Sequence, residues 1–412
     1  MSHLLRSQSF GALFAAALSI VSCSSLKSPF RSELPTGSAR VLNLGAFQVT
    51  TLPGFELSNP TPGPWEWRGR FANGAPMQSF VEPQFVGSDE VLLSTLGGGV
   101  ELRRLPTGAV VWSKPVTIGV ASKPLILGSS VYVAGMDGVV RKFRLNNGQE
   151  DWTAKLSAES TGGLASAGGL VFVPTADDSL WALDEKTGQR VWNYRRPAPT
   201  GTVAWSLRGQ ALPAISPDGA RLYIGFSDGV FLALETSSGN TVWERNFDRP
   251  GRFKDADLSP VLSADGGTIY LPLVDSDLLA LRASNGATLW TLPDGGGATP
   301  LVDEASGVLF ALTKTGQVQK VSLKDTSVVW SRAVESGGVL SKPAFVGKDF
   351  LAVSASHFGI VLIERESGKI SWKEDYAFGP IASPVSDGRR LLVLSARNRL
   401  HLYRVEARQP GG

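Results

Sequence analysis

A glycine followed four residues later by a tryptophan recurs along this chain at a near-constant interval, and that regularity restricts the fold more than any other feature. The motif reads TGAVVW (Gly108, Trp112), NGQEDW (Gly148, Trp152), TGQRVW (Gly188, Trp192), SGNTVW (Gly239, Trp243), NGATLW (Gly286, Trp290) and SGKISW (Gly368, Trp372). A seventh copy, DTSVVW, has Thr326 in place of the glycine and keeps Trp330. From Trp112 onward the tryptophans are 40, 40, 51, 47, 40 and 42 residues apart. A chain of 412 residues would ordinarily divide into domains, but a repeat of this length distributes one core along the whole sequence.

Within one period the pattern is that of a strand meander. SKPLILG (Ser122 to Gly128), SSVYVAG, VVRKFRL and EDWTAKL are short β-rich runs separated by turn residues. Asp137-Gly138 and Asn147-Gly148 provide the left-handed backbone that tight hairpins require. Pro83, Pro124, Pro260, Pro300, Pro343 and Pro384 open most first strands. Units of about forty residues with four strands each are the blades of a β-propeller. The predicted fold is therefore all-β, an eight-bladed propeller of four-stranded antiparallel blades. After Trp372 the chain holds three more strands and no Gly-Trp strand, and an N-terminal strand can close the last blade. PWEWRGRF (Pro64 to Phe71) is predicted to be that strand, because Trp67 lies 45 residues before Trp112. Seven blades, with 64–71 as a loose arm, is the alternative. The tryptophans are read as scaffold, packing an outer strand against a neighbouring blade.

The N-terminus reads as a lipoprotein signal. Arg6 precedes the apolar run GALFAAALSIV (Gly11 to Val21), too short for a membrane-spanning helix, and Ile20-Val21-Ser22-Cys23 follows. A plain signal peptide with a chance cysteine is the bland alternative. Cys23 is the only cysteine, so no internal disulfide is available. The expected organisation is a signal peptide over 1–22, a lipidated tether over 23–61 with at most one short ordered piece near Val41 to Thr51, and a propeller over 62–407. A net charge of +3 gives no sign of a nucleic-acid partner, and three histidines offer little for a transition metal. Asp137, Asp228 and Asp277 are read as turn-formers, and His357 and His401 as incidental.

The repeat, over residues 64 to 405, resembles that of pyrroloquinoline-quinone dehydrogenases. Those enzymes hold a quinone and calcium in the central channel, commonly on a vicinal disulfide that a single cysteine cannot form. No catalytic residue, cofactor or metal is therefore expected.

The two longest intervals, after Trp192 and after Trp243, carry WSLRGQALP (Trp205 to Pro213) and GRFKDADLSP (Gly251 to Pro260). The lipobox, the eight-bladed repeat and these two segments flanking blade four resemble the BamB family, lipoprotein subunits of the bacterial outer-membrane β-barrel assembly machinery. Leu207-Arg208-Gly209 and Asp255, Asp257, Pro260 match the family's motifs, while Trp205 stands where the family has an aliphatic residue. The resemblance implies docking of Trp205, Leu207, Arg208, Asp255 and Asp257 on the periplasmic POTRA region of BamA, the barrel-inserting subunit. It implies a lipid anchor at Cys23 in the outer membrane, facing the periplasm; Ser24 is not the aspartate linked to inner-membrane retention. Unfolded outer-membrane proteins, added as strands at blade edges, are a further expected partner.

In a four-stranded meander the connection between blades lies on the same face as the second hairpin turn, so both long segments should emerge beside Ser227-Asp228-Gly229. An aromatic, a leucine and an arginine together suit a protein anchor. The bland readings are that Trp205 and Leu207 plug the propeller and that Arg208 pairs with Asp255 or Asp257 inside the chain. A quinone- or small-ligand-binding propeller and a general protein- or glycan-binding lipoprotein are the rival functions.

Overall fold

The computed structural model describes residues 40–44, 47–56, 81–95, 99–105, 107–196, 211–247, 259–273, 276–334, 339–356, 358–376, 382–395 and 399–407. Its strands form eight separate sheets, seven of four strands and one of five. Seven are consecutive antiparallel meanders: blades one to seven cover 84–114, 125–155, 165–195, 214–246, 261–292, 301–333 and 344–375. First strands touch one another between blades three and four, four and five, and seven and eight, so the blades begin at the axis and end at the rim. The ring has eight blades, not seven.

Blade eight joins the two ends of the chain. Val385–Ser386, Arg390–Leu394 and Arg399–Ala407 are its inner strands, and Phe47–Glu56 is added antiparallel to the last of them. Arg40–Leu44 then pairs outside Phe47–Glu56 as a fifth strand. An N-terminal strand closes the ring as expected, but it is not 64–71. Trp65 and Trp67 lie outside the described residues, and among the described residues sheet begins at Arg40, ahead of the expected boundary at 62. The physical reason is visible in Phe47–Glu56: Val49 is fully buried between blades seven and eight, and Thr51 is buried beside it. The short ordered piece anticipated inside the tether is the closing strand itself.

The core is divided among the seams. Buried apolar residues fall into eight clusters, each joining two neighbouring blades. Between blades two and three, for example, Tyr132, Ala134 and Val140 meet Val171, Val173 and Leu183. The cluster between blades eight and one completes the circle with Leu392, Leu394, Leu400 and Leu402 against Val91 and Leu93.

The recurring tryptophan fastens each seam to the following blade rather than to its own glycine turn. Trp112 lies against Gly148, Trp152 against Gly188, Trp192 against Gly239, Trp243 against Gly286 and Trp330 against Gly368. A Cβ at any of these glycines would fall within 2.5–2.8 Å of a ring atom, and all five have φ between +67 and +74. Glycine is needed twice over, for the left-handed turn and for the close approach. The indole N–H donates across the seam, Trp112 to the Leu145 carbonyl at 2.7 Å and Trp192 to the Thr236 carbonyl at 3.0 Å. Seven outer strands have a register shift at the residue before the tryptophan, a bulge that aims the ring along the seam. Burying each ring contributes about 2–3 kcal/mol.

Two positions depart from the pattern. Thr326 takes the glycine's place with φ +60. In blade eight, Leu52 pairs with Leu402 as Trp372 pairs with Leu362, so a leucine holds the tryptophan's register at the closing seam.

Candidate functional site

Trp205, Leu207, Arg208, Asp255 and Asp257 lie outside the described residues, as does Cys23. What the structure defines is the ground from which their two segments rise. The first connection, 197–210, leaves blade three after Arg196 and reaches blade four at Ala211. The second, 248–258, leaves blade four after Phe247 and reaches blade five at Ser259.

Both departures meet at one hairpin turn. Arg196 donates from Nε (2.9 Å) and Nη2 (2.6 Å) to Oδ2 of Asp228. The Phe247 backbone N–H donates to the Gly229 carbonyl at 2.9 Å. The arrivals are also joined, because the Leu212 N–H donates to Oγ of Ser259 at 3.0 Å. The two connections therefore start together and end together on one face, beside Ser227-Asp228-Gly229, as the meander geometry requires.

Asp228 shows why this turn holds its shape. Its other oxygen, Oδ1, accepts the Val230 N–H at 3.1 Å, closing an Asx turn, while Oδ2 faces Arg196. Asp137 does the same in blade two, accepting from the Val139 N–H and pairing with Arg141 at 2.6 Å. Asp277 accepts the Asp294 N–H at 3.0 Å. Next to Asp228, Asp178 of blade three adopts φ +56 and takes a 2.6 Å bond from the Ser227 hydroxyl. Arg196 also reaches Oε1 of Glu244 at 3.3 Å and stands 3.4 Å from the Tyr194 hydroxyl. Burial pushes its guanidinium pKa down, but Tyr194 and Asp228 more than offset this and hold it above the ordinary value. The sequence reading missed Arg196 because its partner is 32 residues away on another blade.

The axis carries a second polar group on the same face. Glu82, Lys123, Lys342 and Ser383 each precede the proline that opens an innermost strand, in blades one, two, seven and eight. Lys123 pairs with Glu82 at 2.8 Å. Burial pushes the Glu82 carboxyl up, but Lys123 and Lys342 outweigh it and hold the carboxyl below its usual range. Burial lowers the Lys342 ammonium against the pull of Glu82. Two ammonium groups around one paired carboxylate do not fit a divalent cation, and no group of three or more His, Cys, Asp or Glu among the described residues could hold a metal. His401 is buried, stacked on Tyr376 at 4.2 Å between ring centres. His357 lies outside the described residues.

A ring of eight meander blades stapled by tryptophan on glycine, with two long connections on one face, defines a propeller of the pyrroloquinoline-quinone repeat class. The family model described as outer membrane protein assembly factor BamB matches residues 67–167 and 105–332. The chain belongs to that family. It is 26% identical over 321 residues to the outer membrane protein assembly factor BamB of Yersinia pestis, covering 71% of this chain and 77% of that one. To the Salmonella typhimurium protein of the same name it is 24% identical over 380 residues, covering 78% and 84%. Among solved structures, BamB from Moraxella catarrhalis superposes with a TM-score of 0.70 at 17% identity, over 86% of this chain and 99% of that one. A europium-containing methanol dehydrogenase shares the fold with a TM-score of 0.67 at 12% identity, over 86% of this chain and 93% of that one.

Proposed function

We propose that this chain is a non-enzymatic scaffold lipoprotein of the outer-membrane β-barrel assembly machinery. It is anchored through Cys23 in the outer membrane, faces the periplasm, and binds the POTRA region of BamA with Trp205, Leu207 and Arg208 of the first connection and Asp255 and Asp257 of the second. The propeller supplies a rigid platform, and the work is done by binding: Trp205 and Leu207 offer apolar anchor area, Arg208 a planar set of donors, and the two aspartates charge for a basic partner surface.

The observation that supports this most is the shared rooting of the two connections. The departures of the two segments meet at one turn, Arg196 on Asp228 and Phe247 on Gly229, and their arrivals are bonded directly, Leu212 to Ser259, which supports reading them as one surface. Membership in the BamB family supports the assembly role, and the lipobox around Cys23 supports the anchor.

The test is co-purification of BamA from solubilised membranes. Arg208→Ala and Asp255→Ala are expected to lose BamA while circular dichroism and Tm stay unchanged. Undiminished BamA with either variant would refute the site. Cys23→Ser is expected to remove the lipid mass and release the protein from membranes, and a retained lipid would refute the anchor.

A further inference from the structure

The position just ahead of each innermost strand is used differently in the two halves of the ring. In blades four, five and six it holds Leu212, Ser259 and Thr299. The Leu212 N–H donates to the Ser259 hydroxyl at 3.0 Å, and the Thr299 hydroxyl donates to the Ser259 carbonyl at 3.3 Å. Blade three has Gly163 there, where a Cβ would lie 2.6 Å from Cδ1 of Leu212, so the leucine side chain occupies that space. This half carries no charge at these positions, and its hydroxyls are spent on tying one inner strand to the next.

The other half is charged and does not balance itself. Lys123, Glu82, Ser383 and Lys342 follow one another across blades two, one, eight and seven. Lys123 Nζ donates to Oε2 of Glu82 at 2.8 Å, and the Gln84 side-chain amide donates to the Pro124 carbonyl at 2.9 Å, which fixes blades one and two beside the pair. Ser383 also hydrogen-bonds the Glu82 carboxyl, and Lys342 attracts it. One carboxylate thus serves two ammonium groups. Among the described residues no acceptor hydrogen-bonds Lys342 Nζ; burial disfavours its charge, Glu82 favours it, and Lys123 disfavours it again, for a net lowering. The pair remains reachable from the channel, with the Lys123 side chain 38% exposed and that of Glu82 20%.

We infer that this charged crescent at the mouth of the channel is a binding site for a small carboxylate, held by Lys342 and Lys123. The ligand brings the one negative charge that the cluster lacks, and each ammonium has donors to spare for it. A phosphate group, with about two charges at neutral pH, overshoots that balance. The site stands at the axis on described residues alone and does not depend on the BamA-binding reading.

The experiment follows acylation of individual lysines by an uncharged amine reagent, mapped by mass spectrometry on the full mature protein. Acetate is the probe, with inorganic phosphate and chloride at matched ionic strength as comparisons. Acylation needs the free amine, and a bound carboxylate favours the ammonium. Acetate is therefore expected to slow Lys342 saturably, by about tenfold, the change in free amine that one adjacent opposite charge produces. Exposed Lys324 should be unaffected. Glu82→Gln leaves both ammonium groups without a counter-charge and should reach full protection at a lower acetate concentration. Lys123→Gln hands Glu82 to Lys342 and should abolish the protection. The wild-type result requires no variant to fold. Equal slowing in chloride, or slowing that never saturates, would overturn the site. Protection in phosphate as strong as in acetate would overturn the choice of a carboxylate, and undiminished protection in Lys123→Gln would overturn the paired-lysine arrangement.

Discussion

Trp192 and Arg196 sit four residues apart on the same outer edge of blade three, and both bind it to blade four. Trp192 does so at one end of the blade, with its ring on Gly239 and its N–H on the Thr236 carbonyl. Arg196 does so at the other end, with a fork on Asp228. The first contact recurs around the ring: Trp112, Trp152, Trp243 and Trp330 meet the next blade in the same way. The second depends on an arginine placed where the chain leaves its period; at the corresponding place between blades five and six, Asp294 pairs with Lys314 at 3.3 Å. The repeated contact is apolar, with Trp112 buried and the other rings half-buried, and it supplies stability. The other is polar and largely shielded, with the Arg196 side chain 15% exposed, and it stands where the first connection leaves the blade.

The sharpest way to break this contrast is to move an effect from one end of the edge to the other. Trp192→Ala should cost about 3–5 kcal/mol in urea unfolding, the usual penalty for truncating a packed aromatic ring. Gly239→Ala should destabilise by about 2 kcal/mol or more, since its Cβ would lie 2.7 Å from the Trp192 ring at φ +74. If either leaves the unfolding midpoint unchanged, the staple is not what holds the seam. Arg196→Gln, at the other end, should leave that midpoint in place.

Next in size is the closing seam. Leu52→Ala should cost about 2–3 kcal/mol, and faster hydrogen exchange should appear first in 40–56 and 399–407, the paired chain ends. Uniform loss around the ring would mean that this seam is no different from the stapled ones.

The smallest effect is expected at Thr326, which holds a left-handed backbone without being glycine. Thr326→Gly should stabilise the protein by about 1 kcal/mol by relieving that strain. A lower midpoint would mean that the threonine side chain contributes more than its backbone costs.

These same positions show what the sequence could reveal. The blades were legible because Gly-x-x-x-Trp and the Asp-Gly and Asn-Gly turns are local signals, and Asp228 and Asp137 do form the turns read for them. The common face of the two connections was legible because meander topology allows no other. The closing strand was misplaced because Trp67 has the right spacing, whereas the strand that closes the ring carries Leu52 in the tryptophan's register. Its pairing of Thr51 with Tyr403 spans most of the chain and leaves no local trace. Arg196 was missed for a related reason, as a basic residue beside a proline reads as a solvated loop until Asp228 is brought against it. Trp205, Leu207, Arg208, Asp255 and Asp257 lie outside the described residues.

The most direct measurement is site-specific photocrosslinking in intact membranes. A photoreactive residue is placed at Leu207, at Asp255, or at Asn240, which is exposed in the hairpin turn on the opposite face of blade four. Crosslinks to BamA from 207 and 255 and none from 240 are the predicted result. A crosslink from 240 with neither of the others would contradict the account.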